Sequence, residues 1–187
     1  MAPFAGLIFL LICFYLLTNQ FRQTESNVRT ESLPFSKTHA CIPENDEVTI
    51  SLTHENHLSF AVNSRKAQAM AIQQVAQRHK INITPEQVLE LEKIPCLQTD
   101  VENLPRYLAL PAYERNRSTH NRQFSPLSEQ QLVECVASAK KAVQTLYLKP
   151  MYVSLRIDAE TKAGNVNHLL ELLETNGYHR FLLRTQD

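Results

Sequence analysis

Four groups of side chains in this sequence are of types that do chemistry. His39-x-Cys41 sets an imidazole beside a thiol, and His54 and His57 flank Glu55-Asn56. Asp158 closes the alternating run Val153-Ser-Leu-Arg-Ile157, and Arg106, Arg115, Arg117 and Arg122 fall within one polar stretch. A zinc centre needs further ligands at defined spacing, or two histidines on one helical face with a glutamate between them. Neither His39-x-Cys41 nor His54/His57 is accompanied by such ligands, so the reading is of a chain that is not an enzyme and holds no metal or cofactor. An acid placed like Asp158 ordinarily caps the turn that follows its strand. The arginines suggest an anionic ligand, but the ordinary role of such charges is to keep a loop in water, and that reading is preferred.

Composition narrows the choice further. Lysine plus arginine equals aspartate plus glutamate at 19 each, which leaves no nucleic-acid footprint in the total. The only glycines are Gly6, Gly164 and Gly177, too few for a phosphate-cradling loop. Cys13, Cys41, Cys96 and Cys135 are too scattered for a disulfide framework. A bridge among the last three and buried thiols both stay open.

The stretch that places everything else is Pro3 to Leu17, an apolar run without charge; the next charged residue is Arg22. As a helix it covers roughly 22 Å, and about 30 Å when Ala2 and the segment from Thr18 to Phe21 are included, so it can just span a bilayer. No basic residue precedes the run and no small-residue cleavage site follows it, so it reads as a retained anchor over 1–21 and not as a signal peptide. Arg22 and Arg29 follow the run, a charge bias mildly opposed to export of the C-terminal part.

Residues 22–46 are polar, broken by Pro34 and Pro43, and read as a linker. Alternation in Val48 to Thr53 and Leu58 to Val62, around His54 to His57, predicts a hairpin. Ala67, Met70, Ala71 and Val75 predict a helix over 65–80. Thr84-Pro-Glu-Gln87 starts another helix, carried by Val88, Leu91 and Ile94 up to Pro95. Leu97 to Phe124 reads as an irregular insertion. Ser128-Glu-Gln-Gln131 is a capping box opening a long helix with Leu132, Val136, Ala139, Val143 and Leu146 on one face, and Pro150 forbids its continuation. A strand with Val153, Leu155 and Ile157 on one face follows. Then come a helix bearing Val166, Leu169, Leu170 and Leu173, a stop at Asn176-Gly177, and a short strand Phe181 to Leu183. The sum is an α+β domain of two layers over 47–187, with a helical and loop insertion at about 66–124.

The C-terminal run Val-Ser-Leu-Arg-Ile-Asp158-Ala, Ala-Gly164-Asn-Val, Leu-Leu-Glu-Leu-Leu-Glu-Thr-Asn-Gly177-Tyr and Phe-Leu-Leu-Arg-Thr185 resembles the ExbD/TolR family of biopolymer transport proteins. There, a strand ending in Asp leads through a small turn to a helix closed by Gly and a last short strand. The hairpin is similar to the family's first strands. The anchor is similar as well: Pro3-Phe4-Ala-Gly6-Leu, then Leu10-Leu11-Ile and Phe14-Tyr, resembles the Pro-Phe-x-Asp-Val opening and its continuation. The resemblance covers residues 1–63 and 126–187.

The resemblance implies an inner-membrane protein that crosses once, with a cytoplasmic N-terminus and a periplasmic domain. It implies ExbB/TolQ-type multispan partners around a dimer, and a TonB-like protein beyond. It implies packing roles for Pro3, Phe4, Gly6, Leu10, Leu11 and Phe14 in the membrane, and a periplasmic motif of Asp158, Gly164 and Gly177. One departure stands out. The family's proton-bearing Asp falls at Gly6, and no Asp, Glu, His or Lys lies in the span. A carboxylate in hydrocarbon is retained for transport chemistry; glycine instead permits close helix approach. The expectation is a proton-silent coupling subunit, pairing with itself or with an Asp-bearing sibling. The alternative is an anchored periplasmic binding or scaffold module without energy coupling. If the anchor is retained, the intact mass of the protein purified from membranes will include residues 1–21, and alkaline carbonate will leave it in the pellet.

Overall fold

The computed structural model describes residues 46–115 and 123–183. The anchor and all but the last residue of the expected linker lie outside the described residues. Among the described residues, no helix is long and apolar enough to cross a membrane.

Valine and isoleucine alternating with threonine and serine give β1 (Glu47–Leu52), and the same alternation gives β2 (Leu58–Val62). The two pair antiparallel, with Ile50 opposite Phe60. Their turn is closed by Asn56 at φ 64, a left-handed position that asparagine tolerates, and by the Thr53 hydroxyl, which accepts from the His57 N–H at 3.0 Å. Several helices follow before the sheet resumes. They include α1 (Arg65–Arg78), α2 (Pro85–Leu91), α3 (Leu104–Ala109) and α4 (Glu129–Tyr147). Then come β3 (Tyr152–Ile157), α5 (Ala163–Thr175) and β4 (Phe181–Leu183).

The result is a mixed α/β architecture on a four-stranded sheet of order β2-β1-β3-β4. β3 runs parallel to β1, with Leu52 opposite Ile157, and β4 runs parallel to β3. β1 is buried on both faces. Val48, Ile50 and Leu52 enter the apolar core, while Glu47 and Ser51 are shielded on the other side. That second face carries small hydroxyl side chains, and Ser154 donates across it to Thr49 Oγ1 at 3.1 Å. α1 packs along α4 through a surface rich in alanine, which lets the two axes approach closely. Strands and helices share one apolar cluster centred on Ile50, Phe60, Ile72, Leu132 and Leu155. Inside it Gln68 is fully paired, accepting from the Val62 N–H at 2.9 Å and donating to the Ile94 carbonyl at 2.8 Å.

The hairpin, α1, the Thr84 capping box, β3, α5 and β4 form where the sequence predicts them. Five expectations need correction. α2 stops at Leu91 and does not continue through Ile94, because Pro95 disfavours helical geometry in the residue before it. Leu97 to Phe124 is not irregular throughout. Leu97 exchanges backbone hydrogen bonds with Phe60 on the edge of β2, and α3 buries Leu104, Tyr107 and Leu108. The Tyr107 ring meets Phe124 edge to face.

The Ser128 box is only half made. Ser128 Oγ accepts from the Gln131 N–H, but the Gln131 amide turns away, donating to Asp100 and accepting from the Val101 N–H. A longer-range partner has outcompeted the local one. Finally, Leu146 leaves the buried stripe of α4 and is exposed.

Arg115 overturns the expectation of a solvated loop charge. It is buried, donating to the carbonyls of Leu110 at 2.7 Å and Leu108 at 3.1 Å, and to Glu90 at 2.6 Å. Lys93 and Arg115 together hold the Glu90 carboxyl below its ordinary range. Arg106 is exposed, as expected, while Arg117 and Arg122 lie outside the described residues. Replacing Arg115 with methionine strands these carbonyls and is expected to lower unfolding free energy by about 2–4 kcal/mol. Arg106→Met is expected to stay within ~0.5 kcal/mol. Urea denaturation of both variants checks this contrast.

Candidate functional site

The parallel register of β1 and β3 carries the two strands out of the sheet side by side, so the residues after Leu52 meet those after Ile157. Asp158 sits at that junction with its side chain 6% exposed. Its N–H donates to the Leu52 carbonyl at 3.0 Å, and its own carbonyl accepts from Thr161 at 2.9 Å. One carboxylate oxygen, Oδ1, accepts from the Glu160 N–H at 3.3 Å, which is the turn-capping role the sequence favours. The other, Oδ2, lies 3.1 Å from His54 Nδ1 and 3.4 Å from the His54 backbone nitrogen. Asp158 therefore does two jobs: it shapes its own turn and holds the tip of the first hairpin.

Each partner alters the other's affinity for protons. The hydrogen bond from Asp158 raises the His54 imidazole above its ordinary value of 6.5. Burial pushes Asp158 upward, but hydrogen bonds from the His54 ring, the Glu160 N–H and the His54 N–H outweigh it and leave the carboxyl below 3.8. The pair is an ion pair in mildly acidic solution, with half the imidazole open to water. It can take up and release a proton without leaving the surface.

The two glycines of the predicted motif differ. Gly177 has φ +86, and the chain around it forms a complete left-handed helix stop: the Gly177 N–H donates to the Glu174 carbonyl at 2.9 Å and the Tyr178 N–H to the Leu173 carbonyl at 3.0 Å. A side chain there would strain the backbone. Gly164 lies in the first turn of α5, and a Cβ added to it would meet nothing within 4 Å. Geometry gives Gly177 a reason and Gly164 none. The structure thus brings Asp158 and Gly164 to one end of α5 and sets Gly177 at the other.

Pro3, Phe4, Gly6, Leu10, Leu11 and Phe14 lie outside the described residues, as do His39 and Cys41. Among the described residues there is no group of three or more His, Cys, Asp or Glu able to hold a metal. Cys96 and Cys135 are buried, and burial pushes the Cys135 thiol up to about 12, far from reactive thiolate chemistry. Sequence reasoning missed His54 as the partner of Asp158. The two are far apart in the chain, and only the strand register joins them.

Comparison with known proteins adds one finding. The profile of the family described as "Biopolymer transport protein ExbD/TolR" matches residues 1–187, the whole chain. The chain belongs to the ExbD/TolR family. No curated protein and no solved structure matches it. Membership carries the coarse function, biopolymer transport, and the family is typically anchored in the inner membrane. In this ExbD/TolR chain the Asp158 junction is a joint between the turn after β1 and the turn after β3.

The pH dependence of that joint has a definite sign. His54 is raised in the folded protein, so its contribution is complete below 6.5 and is lost as pH rises through the folded value. Asp158 is lowered, so its contribution is present above 3.8 and is lost as pH falls through its folded value. The junction is strongest between those limits. NMR titration of the His54 ring is expected to show a midpoint above 6.5 that falls back to the ordinary value in Asp158→Asn.

Proposed function

We propose that this ExbD/TolR chain is an inner-membrane subunit of an ExbB/ExbD- or TolQ/TolR-type energy-transducing complex that supports transport across the outer membrane. In this reading residues 1–21 cross the membrane once from a cytoplasmic N-terminus, 22–46 form the linker, and 47–187 are a periplasmic domain with an insertion at about 66–124. The single observation that carries it is the family match over the whole chain, anchor included. Pro3, Phe4, Leu10, Leu11 and Phe14 pack against ExbB/TolQ-like multispan partners or a second anchor, and Gly6 lets helices approach closely. Asp158, Gly164 and Gly177 mark the periplasmic motif, whose force reaches a TonB-like protein.

Gly6 stands where the family carries its proton-bearing Asp, and the span holds no other acid. Neither Tyr15 nor Cys13 supplies a carboxylate in its place. The subunit is therefore proton-silent: it packs and couples, beside itself or an Asp-bearing sibling. The same missing carboxylate supports a second reading, an anchored periplasmic scaffold without energy coupling.

Reconstitution with the ring partner separates these. The unaltered chain alone is expected to give no proton-driven activity, and Gly6→Asp or an added sibling is expected to confer it. Full activity of the unaltered chain without a sibling would refute proton silence. Absence of any stable complex with a ring partner would favour the scaffold.

A further inference from the structure

One end of the domain carries exposed apolar side chains beside an excess of positive charge. α4 ends there in Leu148, a residue 89% exposed whose backbone sits at φ 54, a conformation that usually belongs to glycine. Leu146 and Tyr152 are exposed beside it, at 39% and 43%. The basic residues come from three separate segments. Ser64 Oγ meets the Tyr147 hydroxyl at 2.6 Å, which brings exposed Arg65 and Lys66 at the start of α1 to the end of α4. Lys149 follows Leu148 directly, and the β3–β4 register sets Arg180 beside Tyr152. Among the described acids at this end, Asp46 and Glu47 are buried, while Glu174, in the last turn of α5, is exposed.

The Tyr152 N–H donates to the Asp46 carbonyl at 2.9 Å, so the basic, apolar end is also where the preceding 45 residues join the domain. Those residues include the Pro3–Leu17 run. A polar linker of about 25 residues, the length of 22–46, would have a typical span of about 25–30 Å as a coil. The domain is thus held within reach of the bilayer, and this end is the one tethered.

We propose that this end of the domain docks on the outer surface of the bilayer that anchors it, with Leu146, Leu148 and Tyr152 in the interface and Arg65, Lys66, Lys149 and Arg180 against anionic headgroups. Leucine, tyrosine and lysine together suit the boundary between acyl chains and headgroups, and each basic residue near an anionic surface adds attraction. The proposal rests on the anchored reading of residues 1–21. Docking holds the β1 and β3 starts down, leaving the Asp158 end facing away from the membrane.

The test uses the full chain in nanodiscs of phosphatidylglycerol or of phosphatidylcholine, read by hydrogen exchange. Segments covering 146–152 are expected to exchange about fivefold or more slowly in the anionic discs, with 53–58 unchanged. Leu148→Gly removes the apolar side chain and relaxes the backbone, so it is expected to keep or raise Tm while losing protection. Arg65→Gln, Lys66→Gln and Lys149→Gln combined are expected to abolish the lipid difference. Equal exchange in both lipids overturns the proposal. Protection independent of lipid charge but growing with copies per disc assigns this end to a second chain and also overturns it. Release of the chain by alkaline carbonate overturns the anchored reading and this proposal together; retention with equal exchange overturns this proposal alone.

Discussion

β1 is held on both sides, antiparallel to β2 through a short hairpin and parallel to β3 across a long stretch of sequence. The parallel pairing is the constraint from which the rest follows. It fixes Leu52 against Ile157 at one end and Asp46 against Tyr152 at the other. The first contact delivers His54 to Asp158; the second delivers the attachment of the N-terminal segment to the end of α4. A slip of one residue would turn Val48, Ile50 and Leu52 out of the core and Glu47, Thr49 and Ser51 into it. Register here is enforced by burial on both faces of β1.

That arrangement gives the domain two chemically different ends joined by a stiff sheet. At one end a carboxylate, a half-open imidazole and a turn are tied together by hydrogen bonds. At the other, an exposed leucine in an unfavourable backbone state sits among basic side chains. A left-handed non-glycine residue costs about 1–2 kcal/mol, and here the cost leaves an apolar side chain in water.

Much of this was legible in the chain. Period-two alternation fixed the strands, and the faces of β3 and α5 follow from Val153, Leu155, Leu169 and Leu173. The Asn176-Gly177 stop is a local signal with a local cause. What was hidden depends on contacts distant in sequence. Gln131 has the spacing of a capping box, yet its amide is drawn to Asp100 and Val101. Arg115 looks like a loop charge until Leu108, Leu110 and Glu90 surround it. Leu146 matches the helical stripe but is exposed near the end of α4. The Asp158 turn was readable; its hold on His54 was not.

Whether these parts serve an energy-transducing assembly is decided most directly by what travels with the chain. The full-length protein, tagged at its C-terminus, should be extracted from its native membrane in mild detergent and its companions identified by mass spectrometry. The account predicts a multispan ExbB/TolQ-like subunit in molar excess over this chain. Recovery of the chain with no multispan companion, under conditions that keep a known ring intact, would contradict it.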